Sequence, residues 1–184
     1  PSFSADGRKL LYTTWSDTDL ASIRELDLAS GQVRTLSREP GFYYGPRYSN
    51  DGRRIVYSRT GGGSLTGSLW SNERGVFVMN ADGSDARKIA DGGSDPQFDA
   101  RGERVFFLAG GGLEKTLKSI GVFGEKPRDV LKLKYPDFVS VSPDGSKVAF
   151  TELFNVYVAP LPATGGAIDL AATLTIGQDT IDVD

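Results

Sequence analysis

The chain has 184 residues, of which 39% are hydrophobic and 24% are charged, a composition typical of one soluble globular domain. It contains no His and no Cys, which excludes Ser-His-Asp and Cys-His nucleophiles, His- or Cys-ligated zinc, a haem with an axial His, and iron–sulfur sites. The net charge of −3 argues against nucleic-acid binding, and no apolar run approaches the ~20 residues of a membrane helix. We therefore expect no nucleic-acid partner, no membrane insertion, and neither a metal nor a cofactor in this segment.

A ten-residue pattern recurs four times along the chain. In each copy an apolar or aromatic residue precedes an Asp-Gly or Arg-Gly pair, and a β-branched or aromatic run follows. The copies cover residues 3–12, 48–57, 98–107 and 141–150, with glycines at Gly7, Gly52, Gly102 and Gly145. These glycines lie 45, 50 and 43 residues apart, close to the ~40–50 residues of a propeller blade.

Each copy has the pattern of a β-hairpin, because Gly supplies the positive φ that a tight reversal needs. A second hairpin follows about twenty residues later, which predicts four strands per unit. The predicted outer hairpins join 22–28 to 32–36, 76–80 to 86–89, 117–122 to 128–133, and 156–161 to 168–170. In the third copy Arg101 stands where the others have Asp, which leaves the turn type of that unit open.

The sequence thus predicts an all-β chain, a propeller of four-stranded antiparallel blades with units at 1–40, 41–90, 91–135 and 136–172. Residues 173–184 alternate weakly and are expected to form an extra strand or to begin a further unit. Because ring closure hides strand edges, we expect the four units to belong to a larger, six- or seven-bladed propeller. Open edges would allow self-association.

Aromatic residues are the best candidates for an interaction surface, since aromatics anchor many interfaces. The candidates are Trp15, Tyr43, Tyr44 and Trp70, with Arg47 as a cation for an acidic partner group. Burial between blades is the competing interpretation for each aromatic residue.

The glycine triplets at 61–63 and 110–112 lack the continuation of a phosphate loop. The Asp pairs at 17/19, 82/85 and 182/184 lack full calcium-loop spacing, so turn chemistry is favoured for them.

The repeated Phe/Tyr-Ser-x-Asp-Gly core resembles the WD-like repeat of the TolB family of β-propellers, along the whole chain. Longer stretches, at 41–49, at 75–79 with 91–98, and at 139–145 with 154–162, are similar to the amino-terminal propeller of a group of bacterial amidohydrolases. That resemblance implies that a metal-dependent hydrolase barrel follows the propeller and holds the metal ligands. It carries no catalytic residue onto any position of this chain.

Three functional hypotheses follow from the resemblance. In the first, the chain is a non-catalytic scaffold or access-controlling module, and its partner is a hydrolase domain of the same chain. In the second, it is a stand-alone, TolB-like module that binds a protein in the cell envelope. In the third, it is the propeller lid of a serine peptidase. The resemblance implies a periplasmic or extracellular location, and leaves the cytoplasm open.

Overall fold

The computed structural model describes residues 1–18, 20–39, 41–60, 73–153, 155–164, 166–168 and 174–176. These residues form strands, turns and irregular segments. No helix occurs among them, and so none that could span a membrane.

The described strands form four antiparallel sheets, which are the predicted blades. Blade 1 contains β1 (Ser2–Phe3), β2 (Lys9–Ser16), β3 (Leu20–Asp27) and β4 (Val33–Thr35). Blade 2 contains β5 (Phe42–Tyr48), β6 (Arg54–Thr60), β7 (Gly75–Asn80) and β8 (Arg87–Ala90). Blade 3 contains β9 (Ser94–Phe98), β10 (Arg104–Ala109), β11 (Glu114–Gly121) and β12 (Arg128–Lys134). Blade 4 contains β13 (Val139–Val141), β14 (Lys147–Glu152), β15 (Asn155–Pro160) and β16 (Leu174–Ile176).

The first strand of each blade is the inner strand. β1 contacts β5, β5 contacts β9, and β9 contacts β13, while the strands of each sheet pair in chain order toward the outside. The hairpin turns within each blade, between its first and second and between its third and fourth strands, lie at one end, the turn face. The connections between second and third strands, and those between blades, lie at the opposite end, the loop face.

Apolar side chains from both sheet surfaces fill the spaces between adjacent blades. Alternation along each strand sends Ile55 and Tyr57 toward blade 1, and Val56 between them toward blade 3. Similar clusters fill the interfaces of blades 1 and 2, 2 and 3, and 3 and 4. Strands covered on both surfaces explain the continuous apolar runs in the sequence.

The four blades form an open arc in the described part of the chain. Hydrophobic clusters there join successive blades, and none joins blade 4 to blade 1. Phe3, on the surface of blade 1 that faces away from blade 2, is 63% exposed. This arrangement agrees with a propeller of four-stranded blades that needs further blades to close.

The turn of each inner hairpin has the predicted left-handed glycine, with φ of +68° at Gly52 and +70° at Gly145. The third turn, left open by Arg101, has the same geometry, since Gly102 also has a φ of +69°. There the Asp99 carboxylate accepts hydrogen bonds from the backbone N–H groups of Glu103 (2.8 Å) and Arg104 (3.0 Å). Asp99 thus provides the carboxylate acceptor that, in the other three turns, comes from the Asp at the position of Arg101.

Three of the four predicted outer hairpins lie where the sequence places them, but the last strand differs. β16 pairs with β15 at 174–176, so part of the expected tail belongs to blade 4. Ile168, expected to begin that strand, instead donates its N–H to the Val130 carbonyl of β12 at 2.9 Å. Leu161 and Ile168 are buried against blade 3, which explains why the connection crosses to that blade first. Residues 169 and 170 of the predicted strand lie outside the described residues.

Candidate functional site

An exposed aromatic group lies on the loop face between blades 1 and 2. Trp15, near the end of β2, stacks on Phe42 at the start of β5, with ring centroids 4.3 Å apart and an interplanar angle of 22°. Trp15 is 47% exposed, and Tyr44, two residues after Phe42 on the same strand, is 53% exposed. Both side chains project from strands, so their positions are set by the sheet ladders rather than by a loop.

These rings border a shallow depression of about 140 Å³, which we call the aromatic cleft. Its walls also include Thr13, Thr14, Ala21 and part of Tyr43. Trp15 pairs across the sheet with Ala21, whose small side chain leaves room beside the indole. The Ala21 N–H donates to the Gly41 carbonyl at 3.0 Å, which brings the start of β5 next to β3 and places Phe42 against Trp15.

Tyr43 lies mainly in the core between blades 1 and 2. Its hydroxyl donates to the Glu39 carbonyl at 2.5 Å, and the Arg59 guanidinium lies 5.7 Å from its ring centroid. Its ring also packs at 5.6 Å from the Tyr57 ring. Burial raises the pKa of the Tyr43 hydroxyl. Only an edge of this predicted interaction residue reaches the cleft.

Of the other predicted interaction residues, the structure describes only Arg47. Arg47 is half-buried further along β5, beyond an irregularity in its pairing with β6, and does not line the cleft. Trp70 and the 61–63 glycine triplet lie outside the described residues.

Of the Asp pairs considered for calcium, the structure describes both members only of the pair at 82/85. The Asp82 carboxylate accepts hydrogen bonds from the Ser84 hydroxyl (2.6 Å) and backbone N–H (2.8 Å), which lower its pKa, and Asp85 pairs with Arg87. Asp19 and both members of the 182/184 pair lie outside the described residues. Within the described ranges no three acidic side chains converge as a metal site would require.

A second apolar group lies on the loop face of blades 3 and 4. Leu113, Tyr135, Phe138 and Leu153 are all exposed by more than two fifths. The Tyr135 N–H donates to the Leu113 carbonyl at 2.7 Å, which joins two of these loops. Tyr135 and Leu153 have positive φ of 51° and 47°, a strained conformation for bulky residues. The sequence pattern did not indicate this group, because isolated apolar residues in loops have no periodicity.

A buried carboxylate at the turn-face end of the interface between blades 1 and 2 is the other feature that the sequence did not indicate. Glu25 on β3 is 4% exposed. Arg34 donates to both carboxylate oxygens, at 2.7 and 3.0 Å, and the Lys9 ammonium donates at 3.2 Å. The Tyr48 hydroxyl of blade 2 also donates to Glu25, and Arg34 reaches the Ala81 carbonyl of blade 2 at 3.0 Å. We call these four side chains the Glu25 cluster.

The electrostatics of the Glu25 cluster favour a structural role. Burial opposes ionisation of Glu25, but hydrogen bonds from Arg34, Tyr48 and Lys9 outweigh it and hold the pKa below its ordinary value. Burial, followed by the hydrogen bond to Glu25, raises the pKa of the Tyr48 hydroxyl. At neutral pH an ionised Glu25 that accepts hydrogen bonds from three side chains is a weak base. The Tyr48 hydroxyl keeps its proton and therefore cannot act as a base either. The cluster therefore ties blade 1 to blade 2.

No protein-family model matches the chain. The Tol-Pal system protein TolB of Francisella tularensis subsp. mediasiatica is 28% identical over 80 residues, which are 44% of this chain and 17% of that protein. The solved TolB of Acinetobacter baumannii superposes with a TM-score of 0.63 at 18% identity, and covers 90% of this chain and 40% of its own. The chain has a TolB-like β-propeller fold. It spans less than half the length of these TolB proteins.

Proteins with other functions share the fold of this TolB-like propeller. An oligogalacturonate lyase solved with manganese has a TM-score of 0.67 at 15% identity, and covers 86% of this chain and 49% of its own. A chain of a nidogen/laminin complex has a TM-score of 0.65 at 16% identity, with coverages of 86% and 59%. Because one fold carries such different functions, the function of this propeller has to be argued from its own surfaces.

Proposed function

We propose that this TolB-like propeller is a non-catalytic protein-binding module that contacts its partner through the aromatic cleft. The observation that carries the proposal is the exposed Trp15, stacked on the half-buried Phe42, beside the exposed Tyr44. Large aromatic side chains contribute most of the binding energy in many protein interfaces, and they lose little conformational entropy when they bind.

The shape of the cleft favours a protein over a small molecule. Small-molecule sites usually enclose about 300–1,000 Å³, whereas this depression holds about 140 Å³, enough for one apolar side chain of a partner. The hydroxyl of Thr13, an exposed residue in the wall of the cleft, can hydrogen-bond the partner's backbone beside that side chain. The second apolar group, at Leu113 and Tyr135, extends the same face across blades 3 and 4.

The resemblance to amidohydrolase propellers gives this proposal its context. We propose that the partner is a hydrolase domain of the same chain, with the propeller as its scaffold, and that the protein acts in the periplasm. The alternative partner is a separate protein of the cell envelope. The nidogen/laminin neighbour, which was solved as a protein complex, supports protein binding as a use of this fold.

Site-specific photocrosslinking tests the proposal. A photoreactive phenylalanine analogue is placed at Tyr44 in the cleft, which is 53% exposed, and at Phe123 on the turn face, an aromatic position that is 64% exposed, as the control. Crosslinking in cells that express the protein is expected at position 44 and not at position 123. Mass spectrometry of the adduct tells a domain of the same chain from a separate protein.

A second substitution links the crosslink to the cleft. Trp15→Ser removes the exposed indole and is expected to reduce the adduct at position 44 at least fivefold, while far-UV circular dichroism stays unchanged. Equal crosslinking at positions 44 and 123, or an adduct that is insensitive to Trp15→Ser, would contradict a role for the cleft.

A further inference from the structure

A cavity of about 270 Å³ lies between blades 1 and 2. It is bordered by the connection that joins the two blades, at 36–39, and by the turn between β7 and β8, at 83–86. Buried apolar side chains, among them Phe77 and Met79, form part of its lining. We call it the Tyr57 cavity, because the buried Tyr57 of β6 also lines it.

The Tyr57 hydroxyl lies at this cavity without a hydrogen-bond partner. Tyr57 is 4% exposed, and its ring packs between those of Tyr43 and Phe77, at centroid distances of 5.6 and 5.5 Å. The hydroxyl belongs to the small exposed part, and no residue within the described ranges hydrogen-bonds to it. Buried hydroxyls are normally hydrogen-bonded, because a missing bond costs free energy. The Tyr57 hydroxyl can therefore contribute a hydrogen bond to a molecule bound in the cavity.

The charges around the cavity leave one cation available to a ligand. Each acidic side chain of the lining has a cationic partner: Glu39 pairs with Arg59 at 2.9 Å, Asp85 pairs with Arg87, and Glu73 is attracted to Lys88. Arg38, an exposed residue of the lining, forms neither an ion pair nor a side-chain hydrogen bond with any residue that the structure describes. The cavity is therefore suited to a ligand with one negative charge.

The surroundings of the Tyr57 hydroxyl favour an anion as well. Burial raises the pKa of this hydroxyl, so it is protonated at neutral pH and can donate. Arg59 is 11% exposed, and its cation opposes the rise in the pKa of Tyr57 more strongly than the Glu39 carboxylate adds to it. The field of this ion pair at the hydroxyl is therefore positive. A carboxylate only accepts hydrogen bonds, so it suits a hydroxyl donor in a positive field.

We propose that the Tyr57 cavity binds a small organic carboxylate, such as an aromatic acid with a single ring. Tyr57 donates its hydroxyl hydrogen to the carboxylate, Arg38 supplies the opposite charge, and the ring packs against apolar side chains such as Phe77 and Met79. An apolar cavity of about 150 Å³ holds a benzene ring, so about 270 Å³ has room for a ring with one carboxylate. The site shares Tyr43 with the aromatic cleft but does not depend on a partner there.

Nuclear magnetic resonance titration of the isotope-labelled chain tests this proposal. The probes are benzoate and benzamide, which have nearly the same size and shape, but only benzoate carries a negative charge. Benzoate is expected to bind with a Kd of about 1 mM or below, as a ligand of its size does in a matched site, and benzamide about tenfold more weakly. The backbone amide signals of 36–39 and 83–86 are expected to shift with benzoate, because these residues border the cavity.

Two substitutions separate the groups that bind the carboxylate. Tyr57→Phe removes only the hydroxyl, and Arg38→Gln removes the available charge, so each is expected to weaken benzoate binding about tenfold. Arg101→Gln, which removes an exposed arginine on the turn face, is the matched control and should bind benzoate as the wild type does. Because the Tyr57 hydroxyl has no partner among the described residues, Tyr57→Phe should also leave the urea midpoint unchanged.

Three results would overturn the proposal. They are benzoate that shifts no signal of the cavity at ~10 mM, equal binding of benzoate and benzamide, and wild-type affinity for benzoate in either variant. Trp15→Ser, which tests the aromatic cleft, should leave benzoate binding unchanged. A failure of protein binding at the cleft can thus be distinguished from a failure of the Tyr57 cavity.

Discussion

Replacement of Glu25 by Gln is the sharpest test of what holds blades 1 and 2 together. The substitution keeps the shape of the side chain but removes its charge, and it turns one acceptor oxygen into an N–H donor. Arg34 and Tyr48 both donate to this carboxylate, so at least one of them would face another donor. A buried polar group that loses its partner costs the free energy of its desolvation.

The cost follows from the bonds that the structure shows. Hydrogen bonds to charged groups contribute about 1.5–3 kcal/mol each, and breaking a fully buried ion pair costs about 3–5 kcal/mol. The Arg34 and Lys9 side chains are 47% and 41% exposed, so solvent screens their attraction to Glu25. We therefore expect Glu25→Gln to lower the free energy of unfolding by about 2–3 kcal/mol, or about 1 M in the urea midpoint for a slope of ~2–3 kcal/mol/M.

The effect of the substitution is expected to depend on pH in a definite direction. Because the pKa of Glu25 is lower in the folded chain than its ordinary 4.5, its charge stabilises the fold above that value. The contribution is lost as the pH falls through the folded pKa. The carboxyls of Asp6, Asp51 and Asp144 also have lowered pKa values, so the wild type is destabilised by acid as well. The informative quantity is therefore the difference in the free energy of unfolding between the wild type and Glu25→Gln. This difference is expected to shrink as the pH falls toward 3.

Urea unfolding followed by circular dichroism at pH 7 and at lower pH measures this difference. Glu39→Gln is the matched control, because Glu39 is 70% exposed and its ion pair with Arg59 should contribute no more than ~1 kcal/mol. If Glu25→Gln unfolded at the same urea concentration as Glu39→Gln at pH 7, the structural role of the cluster would be refuted.

Two further predictions concern contacts between and within blades. Gly93→Ala places a Cβ 2.5 Å from a ring carbon of Phe107 at a φ of +135°, so we expect a loss of about 3–5 kcal/mol in urea unfolding. Its neighbour Gly92→Ala meets no atom within 4 Å and should stay within ~0.5 kcal/mol of wild type, and equal losses would contradict the packing at Gly93. Gln97→Leu removes the amide that bonds the Val139 carbonyl (3.1 Å) and one backbone N–H of β13 (2.9 Å). It should cost about 3 kcal/mol in the same assay, and an unchanged midpoint would show that this bridge does not join blades 3 and 4.

The blades could be predicted from the sequence because their signals are local. A glycine such as Gly52, flanked by an acidic acceptor and a β-branched run, sets its hairpin without help from distant residues. Even where Arg101 breaks the pattern, Asp99 lies close enough in the chain to supply the acceptor. A turn of this kind can therefore be predicted from the sequence of its own hairpin alone.

Features that depend on a neighbouring blade could not be read in this way. The path of the chain around Ile168 is set by packing against blade 3, so the last strand begins later than its composition suggests. Glu25 lies within an ordinary strand, and nothing near it in the sequence indicates that Tyr48 of the next blade will donate to it. Both require knowledge of which surfaces meet.

The aromatic cleft was predicted in part, and strand geometry explains which part. Side chains of adjacent strand residues point to opposite surfaces, so Tyr43 and Tyr44 could not both belong to one surface. The structure buries Tyr43 and exposes Tyr44. Phe42, on the same surface as Tyr44, was missed because its role depends on contact with Trp15, which is far away in the sequence.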